Sequence, residues 1–160
     1  MPGKYLEEFV VGEVIHHETM RTVTEVDNVM FSTMSMNPQR LHLDYEFASQ
    51  SIHKKPLVNG MFTFALMMGL TVNETTQGTT EGNLGFEKVE FPRPVFYGDT
   101  IRVESEILGV RPSKSRPQTG IVEFEHRAIN QRGEVVVRCR RAGLMRSISM
   151  KPATGATHAA

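Results

Sequence analysis

The chain has 160 residues, the length of a single domain with one substantial core, which excludes two large domains. Its 18 basic residues cancel its 18 acidic ones, so no global charge drives binding to nucleic acid or to an anionic membrane surface. With 39% apolar and 22% charged residues the composition is that of a globular protein and too apolar for a disordered chain. The one cysteine, Cys139, has no partner for an internal disulfide or a Cys-pair metal site, which points to a reducing compartment.

Met1 to Val10 lacks the basic, apolar and small-residue succession of a secretory signal, and a cytoplasmic location is expected. Val14 to Val23 reads as a strand. Thr24-Glu25-Val26-Asp27 then resembles a capping box, and it predicts a helix over Glu25 to Met34 with Val26, Val29, Met30 and Met34 on one apolar face. Asn37-Pro38 stops that helix, because the residue before proline is pushed out of the helical region. A loop carries Leu41-His42-Leu43-Asp44; Asp44 can cap a short helical turn through Ala48, and Lys55-Pro56 ends it.

Gly60 to Asn73 is apolar on nearly every face and too long for an ordinary strand, so it predicts a helix buried by a wrapper. Its apolar core, Met61 to Val72, is interrupted by threonines and falls far short of the roughly 20 residues that cross a bilayer. Strand-like alternation follows over Asn83 to Phe91, Thr100 to Leu108, Ile121 to Asn130 and Glu134 to Arg146. Turn signals separate these segments at Tyr97-Gly98-Asp99, Pro112 to Gly120 and Gln131-Arg132-Gly133. The small, polar run Ser149 to Ala160 is expected to be a disordered tail, leaving residues 1–148 as a single domain. One apolar helix followed by at least four antiparallel strands implies an α+β chain in which a curved sheet wraps a central helix, the hot-dog fold.

Three segments, in this order, resemble the MaoC-like hydratases, a hot-dog family that adds water to the double bond of enoyl-CoA thioesters. The family loop Ser-Gly-Asp-x-Asn-Pro-Leu-His-x-Asp matches Ser35-Met36-Asn37-Pro38-Gln39-Arg40-Leu41-His42-Leu43-Asp44 without a gap. Lys55-Pro56-Leu57-Val58-Asn59-Gly60-Met61 is similar to the segment in which a His-Gly pair opens the central helix. Phe91-Pro92-Arg93-Pro94-Val95-Phe96-Tyr97-Gly98-Asp99-Thr100 resembles the strand-turn-strand signature with Arg-Pro-Val and Gly-Asp-Thr. The resemblance implies His42 as a catalytic base, Asn37 where the family has its catalytic aspartate, and Gly60 as the amide that polarises the thioester. It also puts Asn59 at the family's histidine and Arg40 at a family proline.

An amide cannot accept a proton, so Asn37 either orients water for His42 or leaves room for help from a carboxylate on the substrate. The latter agrees with a second likeness. Met36-Asn37 to Asp44, Asn73-Glu74-Thr75-Thr76 and Lys114-Ser115-Arg116-Pro117 resemble the subgroup acting on branched dicarboxyl-CoA esters such as mesaconyl-CoA or itaconyl-CoA. Asp44 reads as a helix cap that also orients the loop. Arg40 is either a surface arginine or a partner for a dicarboxylate substrate, and Lys114 and Arg116 are either a solvated pair or contacts for a CoA phosphate or substrate carboxylate. The remaining histidines show no metal-ligand spacing, and neither a metal nor a bound cofactor is expected, CoA being part of the substrate. Exposed strand edges imply a homodimer with sheets continuing across a two-fold axis. The rival activities on the same fold are thioester hydrolysis, for which Glu74 is the attractive carboxylate, and acyl-CoA binding without catalysis.

Overall fold

Alternation with a period of two sets Ile101, Val103, Ser105 and Ile107 on one buried face of a strand and turns Arg102, Glu104 and Glu106 outward. The computed structural model describes residues 3–151, and in it this strand, β4 (Thr100–Pro112), is one of six. The others are β1 (Val14–His16), β2 (Arg21–Thr22), β3 (Thr80–Glu90), β5 (Thr119–Ile129) and β6 (Val135–Arg146). The antiparallel order is β1-β4-β5-β6-β3, with β2 also paired to β4, so β3 forms an edge. On the outer face Arg127 bonds Glu104, Glu106 and Glu125 at 2.8, 3.1 and 3.0 Å, a charged surface suited to water.

The helix α4 (Gly60–Leu70) packs on the inner face of β4, β5 and β6, as the hot-dog arrangement requires. Asn59 caps it, with its Oδ1 accepting the Met61 N–H at 3.0 Å. Phe62, Met67 and Leu70 of α4 join Val23, Val103 and Val137 in one core, while Leu6, Phe9, Ile107, Phe124 and Met145 form a second. The expected helix through Asn73 breaks at Thr71, whose hydroxyl bonds back to the Met68 carbonyl, and resumes as α5 (Val72–Thr75). Three short elements precede it: α1 (Glu25–Met34), α2 (Arg40–Leu43) and α3 (Tyr45–Gln50).

The boundaries of α1 agree with the capping box: Thr24 Oγ1 accepts the Asp27 N–H and the Asp27 carboxylate accepts the Thr24 N–H. Its apolar stripe faces outward. Val26, Met30 and Met34 are exposed, whereas Asn28 and Ser32 are fully buried. The inward face holds the polar residues because irregular backbone beneath it needs hydrogen-bond partners, as shown below. At the C-terminus, Ser149 and Met150, placed in the expected tail, lie in a 3-10 turn over Ile148–Met150, and the rest of that tail from residue 152 lies outside the described residues.

Between the two cores runs a buried polar chain. A carboxylate only accepts, so His17 Nδ1–H donates to Glu74 Oε2 at 2.8 Å, and Nε2 then accepts the Ser105 hydroxyl at 2.7 Å. Ser105 Oγ in turn accepts His126 Nδ1–H at 2.6 Å, leaving the buried His126 Nε2 without a partner among the described residues. Burial pushes both histidines below their usual 6.5, Glu74 opposing the shift at His17 and the Arg141 charge adding to it at His126. Both take up a proton less readily in the fold than in the unfolded chain, which does so from about pH 6.5 downward, so stability is full above that value and is lost as pH falls. The expected result is a Tm that declines from pH 6.5 to pH 5, and a shallower decline for His126→Phe, which keeps the ring stacked on Phe124 and removes one titrating group. Parallel curves for the two proteins would contradict it.

Candidate active site

Between α1 and α4 the chain is irregular apart from the short α2 and α3, and one side chain of α1 ties separate parts of it together. Asn28, fully buried on α1, places Nδ2 3.1 Å from the His42 carbonyl, 3.2 Å from the Leu57 carbonyl and 3.1 Å from the Tyr97 hydroxyl. Its Oδ1 accepts the Asn59 N–H at 2.8 Å. One amide thereby ties the backbone of α2 to the residue that opens α4. Nothing in the sequence pattern singled it out; the only trace is that Asn28 and Ser32 share a helix face at a spacing of four.

His42, on α2, is half-buried, and its Nδ1 lies 2.8 Å from the Leu57 carbonyl. A carbonyl accepts, so Nδ1 carries the proton and the neutral ring keeps a bare lone pair at Nε2. That is the tautomer a general base needs. Asn37 is held on the turn that ends α1, its N–H donating to the Ser32 carbonyl at 2.9 Å. Its Oδ1 accepts the Gln39 N–H at 3.1 Å, which leaves the amide nitrogen as its free donor among the described residues. Ser32 also accepts from Asn59 Nδ2 at 3.3 Å, so Asn37 and Asn59, the residue before Gly60, hang from one turn of α1.

Gly60 is the first residue of α4, and with Met61 N–H taken by Asn59, the Gly60 N–H has no protein acceptor among the described residues. A free amide at a helix N-terminus carries partial positive charge, and no acid sits in the first turn to offset it. A Cβ at this position would lie 3.1 Å from the Phe91 ring, so glycine keeps the approach to that amide open. Gly60 lines a cavity of about 250 Å³ with Leu57, Val58, Phe91 and Val137 as apolar walls and His53, Thr63 and Arg93 among its polar members. His42 stands behind Leu57, through the carbonyl bond described above.

The other candidates are placed as follows. Asp44 caps α3, accepting the Phe47 N–H at 2.9 Å, and that bond and Arg40 hold its carboxyl below the usual range. Arg40 bonds Asp44 at 2.7 Å and stacks on Phe47, with the guanidinium 4.5 Å from the ring centroid. Asn59 is buried, both ends of its amide bonded to protein. Lys114 and Arg116 lie exposed in the β4–β5 turn, nine or more residues along the sheet from Val103, about 30 Å at 3.3 Å per residue, and line no cavity with Gly60. Glu74 is committed to His17 and the Glu18 N–H. Among the described residues no group of three or more His, Cys, Asp or Glu is placed to hold a metal, and no helix is long and apolar enough to cross a membrane.

Residues 8–129 match the family described as MaoC like domain. The chain is 30% identical over 135 residues to a mesaconyl-CoA hydratase of Cereibacter sphaeroides, covering 84% of this chain and 39% of that protein. It is 29% identical to a beta-methylmalyl-CoA dehydratase of Chloroflexus aurantiacus, covering 85% of this chain and 38% of that one. The chain thus spans about two fifths of the length of these curated relatives. The crystal structure of a MaoC-like dehydratase from Rhodospirillum rubrum superposes with a TM-score of 0.80 at 31% identity, over 94% of this chain and 100% of that one.

Proposed function

This chain belongs to the MaoC-like domain family, and on that premise we propose that it adds water reversibly to the double bond of an enoyl-CoA thioester, preferring a branched dicarboxyl-CoA such as mesaconyl-CoA or itaconyl-CoA. The observation that carries the reading is that the Nε2 of His42 and the N–H of Gly60 both lack a partner among the described residues, while Asn28 bonds the backbone of His42 and of Asn59, the residue before Gly60. Water held by the Asn37 amide loses a proton to His42 Nε2 as its oxygen bonds the β-carbon. The electron pair of the double bond moves toward the thioester oxygen, where the Gly60 N–H and the N-terminus of α4 stabilise the enolate. The imidazolium then returns the proton to the α-carbon, and the thioester stays intact. CoA belongs to the substrate, and the reaction as written uses no further cofactor.

We further infer a homodimer. The edge strand β3 exposes Leu84, Phe86 and Val89, the central helix exposes Met61, and α1 exposes its apolar face, a set of surfaces one chain leaves uncovered. The buried thiol of Cys139 fits a reducing compartment, and we place the enzyme in the cytoplasm.

The test is the enoyl-thioester absorbance of crotonyl-CoA, mesaconyl-CoA and itaconyl-CoA, with free thiol followed in parallel. Loss of absorbance without thiol, fastest on a dicarboxylate, is expected. Thiol release would assign hydrolysis instead, and no change on any of the three would overturn the reading.

A further inference from the structure

The arginines of this protein are mostly paired: Arg21, Arg40, Arg127, Arg132, Arg138 and Arg146 each meet a carboxylate. The mouth of the Gly60 cavity is different. Two segments frame it, Ser51 to Gly60 and Phe91 to Gly98, and together they carry His53, Lys54, Lys55 and Arg93 and not one Asp or Glu. No carboxylate lies within ion-pair distance of His53, Lys54, Lys55 or Arg93 among the described residues, and Glu134, within Coulombic reach of Arg93, is already bonded to Arg132 at 2.9 Å and to Asn130 at 2.8 Å.

The cluster is also held in shape. The His53 and Lys54 N–H groups bond to Ser51, at its Oγ and carbonyl, and Lys54 adopts a φ of 61°, a left-handed conformation that costs energy for a residue with a Cβ. Lys55 Nζ sits 4.3 Å from the centroid of the Phe96 ring, whose edge meets His53 at 6.0 Å. His53 and Arg93 line the same cavity as Gly60, so the ordered basic mouth and the free helix amide belong to one slot with apolar walls between them. A ligand that fits has one end that accepts from an amide, an apolar middle and an anionic far end.

We propose that His53, Lys54, Lys55 and Arg93 bind the phosphates of the CoA moiety, with the thioester at Gly60; this rests on the enoyl-CoA reading above. Several cations gathered without an acid suit a polyanion, for which charge-assisted hydrogen bonds are the strong contacts. The phosphate end of the substrate therefore enters beside Phe96 rather than at Lys114 and Arg116.

The experiment compares wild type, Lys54→Ala/Lys55→Ala, Arg93→Ala and Lys114→Ala/Arg116→Ala on mesaconyl-CoA and on the mesaconyl thioester of pantetheine, which lacks the phosphates. The mouth variants are expected to raise KM for the CoA ester about tenfold or more with kcat nearly unchanged, and to match wild type on the pantetheine ester. Free CoA titrated calorimetrically should show the same loss of affinity, a readout that needs no turnover. If no thioester is hydrated yet CoA binding depends on the mouth, the function reading fails and this site stands. An equal loss on the pantetheine ester would move the cations to the acyl carboxylate, and a loss confined to the Lys114/Arg116 variant, or to none, would equally overturn the proposal.

Discussion

Replacing His42 with alanine is expected to lower kcat for hydration by about 10² to 10⁴, the usual worth of a general base, while the protein stays folded. The magnitude follows from its being alone. Asn37 spends Oδ1 on the Gln39 N–H and has no carboxylate to share the proton, so the Nε2 lone pair that Leu57 leaves bare is the one acceptor in the arrangement. The stability cost is the single Nδ1 bond to the Leu57 carbonyl, about 1 kcal/mol. A large rate loss with a small shift in Tm is therefore the signature; a loss below about tenfold would mean that another group takes the proton.

Asn28→Leu should show the opposite balance. Leucine has a similar volume and none of the hydrogen-bonding atoms, so the buried Asn59 N–H loses its acceptor and the His42 carbonyl keeps only the long 3.4 Å contact with Tyr97. At about 1–3 kcal/mol for each orphaned group, the fold loses about 2–4 kcal/mol, or roughly 5–10 °C in Tm for a domain of this size. Because the same amide sets the spacing between His42 and Gly60, kcat should fall at least about tenfold with little change in KM. Thermal unfolding and steady-state kinetics on one preparation check both parts. Wild-type stability in this variant would remove Asn28 from the account.

The contrast between these two residues shows what could be seen before the structure. His42, Gly60 and the helix they serve were visible because each belongs to a local pattern: a contiguous loop, a glycine at the start of an apolar run, a capping box before α1. Asn28 belongs to none. Its partners lie 14, 31 and 69 residues away, and its neighbours Val26, Val29 and Met30 form the more conspicuous stripe, which turned outward. The spacing marks an apolar face without saying what covers it, and a single copy leaves this one uncovered.

The sheet shows the same division. Turn chemistry located β5 and β6 within two residues of their observed ends, whereas β4 runs on to Pro112 through a register shift between Ile107 and Gly109 that alternation alone does not announce. The chain from Glu74 through His17 and Ser105 to His126 joins residues 57, 88 and 21 positions apart and was invisible for that reason. The basic mouth of the cavity required the knowledge that Arg93 and His53 share a wall with Gly60, while Lys114 and Arg116, equally cationic in sequence, lie at the far end of β4.

The proposed reaction adds water across a carbon–carbon double bond while the thioester survives. It is tested most directly by incubating the protein with mesaconyl-CoA in D₂O and measuring the product by mass spectrometry. The account predicts a hydrated CoA ester that keeps one non-exchanging deuterium at the α-carbon, and its absence with His42→Ala over the same time. Release of the free acid and CoA thiol, or recovery of mesaconyl-CoA with no hydrated ester, would contradict it.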